Sequence, residues 1–347
     1  MRGLVLNFSL IVICCCCSTT VAFMPCPSPA RTAQALWMGV RGTEDEIMAI
    51  LGRKKLEVRG LVQEHSALDD PLQRRLSYAA DESTFRLRRA LRREQDIDAP
   101  HKLAVLADIK RRSPTSSTLP HDIASFEDIK PVAAQARDWG CDAVMINTDR
   151  FAYGGDVGEL EQAVKAVRYE GAASKDPAPG PPVIMKDFII HPLQMALGLE
   201  KGAAGCILSA AILGPALEDF MNTATTMGTE AIVEVHTPAE CAKALEYGAT
   251  VIMFNNWDRI TGKLYPNQAL AMQNMLPPMV LSIAAGGIST VEQTSRLADE
   301  GVDAVVLGRA LALADRPDAL VAEIRARVGL PRNMLGMGIG PTDLGFG

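Results

Sequence analysis

Residues 101–330 predict an α/β protein folded as a single (β/α)8 TIM barrel, preceded by a helical extension. Three observations carry that prediction. Short apolar runs recur eight times, at Leu103–Ile109, Ala143–Ile146, Val183–Met185, Cys206–Leu208, Ala231–Val235, Val251–Phe254, Met279–Ala284 and Ala304–Leu307. Helix-compatible stretches separate them, at 124–139, 158–169, 191–201, 215–227, 237–247, 290–300 and 316–328, with a weaker one at 266–275. Near-continuous apolar strands alternating with helices indicate a parallel sheet covered on its outer face. The third observation separates a barrel from a doubly wound sheet. A doubly wound sheet carries a Gly-rich turn after its first strand, whereas here Lys110-Arg111-Arg112-Ser113-Pro114 follows.

In chain order, residues 1–22 have the layout of a signal peptide. Arg2 is the only charge, an apolar run extends to Cys17, and Thr19-Thr20-Val21-Ala22 supplies small residues for cleavage. Residues 23–42 contain no acid and carry hydroxyl and Arg residues, which is transit-peptide character. Together they resemble the two-part presequence of proteins imported into complex plastids, so a plastid location is expected, with the secretory pathway as the alternative. No membrane association is expected of the mature form, because the apolar run is short for a span. Residues 43–100 read as the helical extension. Ile47, Ile50, Leu51 and Val58 recur at helical spacing, and a second helix is expected over Glu82–Glu94. Residues 331–347 form a Gly-rich tail.

Composition excludes several classes. The 347 residues are 48% apolar with 28 glycines, unlike a disordered, collagen-like or coiled-coil chain. Lys and Arg total 35 against 41 acids, so no nucleic-acid partner is expected. Five of the eight cysteines lie at or before Cys26. Cys141, Cys206 and Cys241 are too widely spaced for a disulfide framework or a zinc site and read as buried thiols. No His pair has metal-ligand spacing, so neither metal nor other cofactor is implied. His191 reads as a helix start, and His236 shares strand parity with Glu234, which places it at a rim.

In such a barrel the active site forms at the C-terminal ends of the strands. Those ends here carry Asp108 and Lys110, Asn147, Lys186, Ser209, Glu234, Asn255, Gly286-Gly287 and Gly308-Arg309. Ionisable groups gathered at one mouth are costly in a core and characteristic of chemistry. Two lysines facing one another would depress each other from the usual value near 10.4, towards proton donation near neutrality. The glycines after strands seven and eight expose backbone N–H groups where barrels often hold phosphate.

Several of these segments resemble the indole-3-glycerol phosphate synthase family. Leu106–Pro114 resembles its first-strand motif, and Val183–Ile190 with Gln194 its third. Ile232-Val233-Glu234-Val235-His236 is similar to its fifth, Phe254-Asn255-Asn256 to its sixth, and Ile50–Val58 to its N-terminal extension. The resemblance implies a sugar-phosphate substrate, 1-(2-carboxyphenylamino)-1-deoxyribulose 5-phosphate, closed to an indole with loss of CO2 and water. It implies Lys186 as general acid, Lys110 as the substrate-carboxylate partner sharing proton transfer, and Glu234 as general base. Asn255 would be a polar partner of the reacting chain. Ser113, Gly287, Gly308 and Arg309 would hold phosphate, with Asp108 and Gly286 also binding substrate. Other tryptophan-pathway enzymes are the partners it suggests.

The pattern departs from the family at Asp108, where Glu is usual, and at Trp257, where Arg is usual and Arg259 lies two residues on. The family's Ala-Glu-Ser-Gly-Ile is here Ala284-Ala285-Gly286-Gly287-Ile288, closer to strand seven of phosphoribosyl isomerases. Two alternatives therefore stay open: another ribulose-phosphate barrel enzyme, and a catalytically weakened ligand-binding barrel.

Overall fold

The computed structural model describes residues 43–77, 85–92, 100–113, 124–168 and 180–331. The presequence and the tail beyond Pro331 lie outside the described residues. Eight parallel strands close into one barrel in chain order. They are β1 (Ala104–Ile109), β2 (Ala143–Asn147), β3 (Val183–Lys186), β4 (Gly205–Ser209), β5 (Glu230–Val235), β6 (Val251–Asn255), β7 (Leu281–Ala285) and β8 (Ala304–Leu307). β1 pairs with β8 through Ala104↔Ala304 and Ala107↔Leu307, which closes the ring.

The period of two along a strand decides what the barrel contains. Leu106, Met145, Ile184, Ile207, Ile232, Met253, Ile283 and Val306, one from each strand, belong to the interior cluster. Residues of the other parity, such as Val105, Val144, Met185 and Val233, join the outer cluster beneath the helices. Two residues beyond each interior residue stand Asp108, Asn147, Lys186, Ser209, Glu234, Asn255, Ala285 and Gly308. The polar strand ends thus share the parity of the interior core, and the topmost layer of the barrel is the chemical one.

Five of the eight βα units have a helix whose N-terminus is capped by a side chain that accepts from the first turn. Asp128, Asp156, His191, Thr237 and Thr290 do this. His191 is the helix start expected of it: its Nδ1 accepts from Leu193 N and Gln194 completes the box. The weak stretch after β6 contains a six-residue helix, Gln268–Gln273. Among the described residues, no helix is long and apolar enough to cross a membrane.

The extension closes both ends of the cylinder. The expected helix over Glu82–Glu94 is described as Arg86–Leu91, with Leu87 and Leu91 inserted into the interior cluster from the N-terminal side. Glu230 at the start of β5 accepts from the N–H groups of Leu87 (2.7 Å) and Arg88 (3.0 Å). At the other end, Ile47, Ile50 and Leu51 of the helix Thr43–Glu64 pack on Ala152, Tyr153 and Phe188. Two features had no counterpart in the sequence reading. The helix Pro71–Ser77 packs against Pro192–Glu200, and an antiparallel pair, Pro100–Lys102 with Val328–Pro331, joins the two ends of the barrel segment.

Candidate active site

The strand-end layer opens into a cavity of about 580 Å3. Asp108, Lys110, Ser113, Lys186, Asn255, Gly286, Gly287, Gly308 and Arg309 all line it, which brings together every site residue implied by the resemblance except Glu234; the strand-end residues Asn147 and Ser209 do not line it.

One wall is charged. Asp108, at the end of β1, lies between two ammonium groups: Lys110 Nζ is 2.6 Å from Oδ2 and Lys186 Nζ is 3.2 Å from each oxygen. Asn147, at the end of β2, donates to Asp108 Oδ1 at 2.7 Å. Burial by itself would raise the Asp108 pKa, but Lys110 first and Lys186 next outweigh it, and the carboxyl is held well below the usual carboxylate range. The expectation of two lysines repelling each other directly is corrected here. A carboxylate stands between them, and the short Asp side chain keeps it low enough to meet both.

The opposite wall is made by β7, β8 and the turns after them. Gly286 and Gly287 have φ of 88° and 69°, the left-handed region that favours glycine. A side chain at 286 would collide, because a Cβ there would lie 2.6 Å from Asn255 Oδ1 and 2.9 Å from Trp257 N. Trp257 Cδ1 would be only 3.1 Å away. Trp257 and Gly286 are therefore one structural unit. The indole packs over the glycine in a space that a serine at 286 would not leave free. Gly308 starts the short helix Arg309–Leu313 and lies against Asp108, so the two walls meet there.

Glu234 is placed differently from its neighbours. It is fully enclosed and does not line the cavity, because Arg259 stands in front of it. Arg259 Nη2 donates to Oε2 at 2.6 Å, Nε donates to Oε1, and Nη1 donates to the Tyr153 hydroxyl. Asn255 Nδ2 adds a bond of 3.2 Å to Oε2. Burial pushes the Glu234 pKa upward, but the Arg259 guanidinium overrides it and brings the carboxyl down to about 2. Burial likewise raises the Tyr153 phenol, which stays neutral. His236 is not at the rim, as its parity had suggested. It is buried, with Nε2 3.6 Å from Glu234 and Nδ1 3.4 Å from Glu240.

Sequence reasoning missed Tyr153 and gave Arg259 no partner. Both line the cavity, and both sit on loops whose direction strand periodicity does not set. Tyr153 stacks on Phe188, with centroids 5.7 Å apart, and the Lys186 ammonium lies 5.7 Å from the Tyr153 ring centre. A third omission, Lys54, reaches from the N-terminal helix to Asp149 and Asp187, each at 2.8 Å. Asp187 directly follows Lys186.

Cys141, Cys206 and Cys241 are buried free thiols. Among the described residues, no group of three His, Cys, Asp or Glu could hold a metal ion.

Comparison with known proteins agrees with the geometry. The family model "Indole-3-glycerol phosphate synthase" matches residues 47–324, from the helix over the mouth to the last helix of the barrel. An indole-3-glycerol phosphate synthase of Opitutus terrae is 30% identical over 289 residues, covering 82% of this chain and 99% of that protein. The enzyme of the same name from Chloroherpeton thalassium is 34% identical over 228 residues, covering 65% of this chain and 80% of its own length. With a closed eightfold barrel, a paired-lysine mouth and a match over most of its length, the chain belongs to the indole-3-glycerol phosphate synthase family.

Proposed function

We propose that this chain is a carboxy-lyase that converts 1-(2-carboxyphenylamino)-1-deoxyribulose 5-phosphate to indole-3-glycerol phosphate, and that the described cavity performs the closure. The observation that carries this reading is the Asp108 carboxylate flanked by Lys110 and Lys186, across one cavity from the glycine turns of β7 and β8. In the closure, the ring carbon that bears the carboxylate bonds to the ketone carbon of the sugar chain. CO2 then leaves that ring carbon and water leaves the sugar carbon.

Each wall supports one part of that sequence. Gly287, Gly308, Arg309 and Ser113 supply backbone N–H groups, a guanidinium and a hydroxyl suited to the phosphate. Lys110 suits the substrate carboxylate as a cationic partner until CO2 departs. Lys186 suits the ketone oxygen, donating a proton during closure and again as the hydroxyl leaves. Asp108 holds both ammonium groups in place and is the proton-poor end of that chain. Glu234, with Asn255 beside it, is the anion matched to the proton released on dehydration, and it reaches that proton only once the Arg259 guanidinium in front of it is drawn aside. A weakly basic carboxylate suffices there, because the proton comes from carbon next to an iminium, which is acidic.

The test is direct. The purified chain incubated with the carboxyphenylamino substrate should develop indole absorbance and fluorescence. Lys186→Ala should abolish product while the folded protein persists. Absence of product from the wild-type chain, or unchanged turnover in the variant, would overturn the reading.

We also propose that residues 1–42 deliver the chain to a plastid, on the strength of the signal-like leader and the acid-free stretch behind it. Sequencing the mature N-terminus tests this: a new terminus near residue 42 is expected, and a mature protein beginning at Met1 would overturn it. Other enzymes of tryptophan synthesis are the partners this function suggests.

A further inference from the structure

Position 257 in this chain is tryptophan, which cannot act as a cation, yet Glu234 is enclosed in the barrel and needs one. The loop after β6 supplies it from a different place. Trp257 and Leu264 form an antiparallel bridge, and Asp258 N–H donates to Lys263 C=O at 2.9 Å. The Asp258 side chain accepts from the N–H groups of Ile260 (2.8 Å) and Thr261 (3.2 Å). This tight hairpin sends the Trp257 indole over Gly286 and turns Arg259 back across the mouth to β5.

Two aromatic rings steady the guanidinium there. Its carbon lies 5.8 Å from the centre of the Phe188 ring, and the Tyr153 hydroxyl takes its remaining inner donor. Phe188 and Tyr153 are stacked and held from above by Ile47, Ile50 and Leu51. Arg259 is therefore oriented from three sides: the carboxylate, the phenol and an aromatic face.

We propose that Arg259, steadied by Tyr153, is the positioning residue that keeps Glu234 an oriented anion for proton transfer. This rests on the ring-closing function proposed above. The groups facing Glu234 are Arg259 from the loop after β6, Asn255 from β6, and His236 from its own strand. Lys186 on β3 adds attraction from across the barrel, and Ser209 on β4 is the register neighbour. Arg259 is the only fixed cation among these that touches both carboxylate oxygens. Without it, burial weighs more heavily and the pKa of the carboxyl moves up.

The experiment compares Arg259→Met, Arg259→Lys and Tyr153→Phe in the full chain. Arg259→Met is expected to lose about 10²-fold in kcat with KM nearly unchanged, within the usual range for a positioned proton-transfer group. The acid limb of its kcat/KM should lie at higher pH than that of the wild type. Arg259→Lys should keep the wild-type profile and lose less. Tyr153→Phe should lose a few-fold. A kcat for Arg259→Met within about twofold of wild type with an unshifted profile would overturn the proposal.

A second readout does not depend on activity. Relative to wild type, the melting temperature of Arg259→Met should fall as pH rises from 5 to 8, because its buried carboxyl has lost its principal cation and must ionise. Arg259→Met/Glu234→Gln should lose that dependence. Equal pH dependence in the single variant and the wild type would refute the clamp even if the substrate assignment were correct. Failure of the wild type to turn over the substrate would strike the functional reading alone, leaving the clamp to the melting experiment.

Discussion

Replacing Lys54 by methionine should loosen the helix over the mouth and with it the loop that follows Lys186 and the loop that carries Tyr153. The Lys54 ammonium is fully enclosed and sits 2.8 Å from both Asp149 and Asp187, whose side chains are about as deeply buried, and 2.9 Å from half-exposed Glu57. Methionine keeps nearly the same volume, so the perturbation is chiefly loss of charge. Removing one partner of a buried ion cluster costs about 3–5 kcal/mol, because the remaining charges stay buried.

Here the lower end applies. Asp149 still accepts from Phe151 and Ala152 N–H groups, and Asp187 from Thr148 Oγ (2.6 Å) and Phe188 N (2.7 Å). A loss of about 3 kcal/mol lowers the melting temperature of a barrel this size by roughly 6–12 °C. The pH dependence has a definite sign. Burial lowers the Lys54 pKa, but Asp187 and Asp149 outweigh it and raise it above the ordinary value. Its stabilisation is therefore complete below the ordinary lysine range and is lost only as pH rises through the higher folded value. In the variant, two buried carboxyls lack their cation, and because Lys54 stays charged throughout, the wild-type advantage should be present at both pH 5 and pH 8. Thermal unfolding followed by far-UV circular dichroism at both pH values measures this. A melting temperature within about 2 °C of wild type at pH 8 would refute the reasoning.

Other outcomes follow from the same geometry. Gly286→Ser, which restores the residue usual in the family, should destabilise the chain by about 1–3 kcal/mol through strain at positive φ and collision with Trp257, read from its melting temperature. Ala285→Glu alone should lower both stability and turnover, because Arg259 is already committed to Glu234. Adding Trp257→Arg should recover part of the loss, with a coupling of about 1 kcal/mol or more in a double-mutant cycle. Asp108→Asn should reduce turnover strongly. It should also flatten the acid side of the stability curve, since the depressed Asp108 carboxyl stabilises the fold above the ordinary Asp value and loses that effect as pH falls. Burial pushes Cys206 up to about 12 and Cys241 up to about 11, so a thiol reagent at pH 8 should label them only on unfolding, as peptide mass spectrometry would show.

The barrel was readable because its strands are buried on both faces, so apolar runs mark them, and because interior parity carries straight on into the polar strand ends. Asp108, Lys186, Asn255 and the paired glycines could be picked out on that basis. What escaped depends on contacts between distant segments. Lys54 reads as one basic residue of an exposed helical face, and nothing near it in sequence announces Asp149 or Asp187. Arg259 and Tyr153 lie on loops, where a hairpin or an Asp cap sets direction rather than a period of two or 3.6. Glu234 was assigned to the mouth by parity, which is right for its direction. It is silent about the guanidinium that covers it.

The central claim is that two lysines sharing Asp108 drive a decarboxylating closure. Measuring CO2 from carboxyl-labelled substrate against indole formed tests it most directly. One CO2 per indole is expected from the wild-type chain, and neither product from Lys186→Ala. Label retained in the product, or CO2 released without an indole, would contradict it.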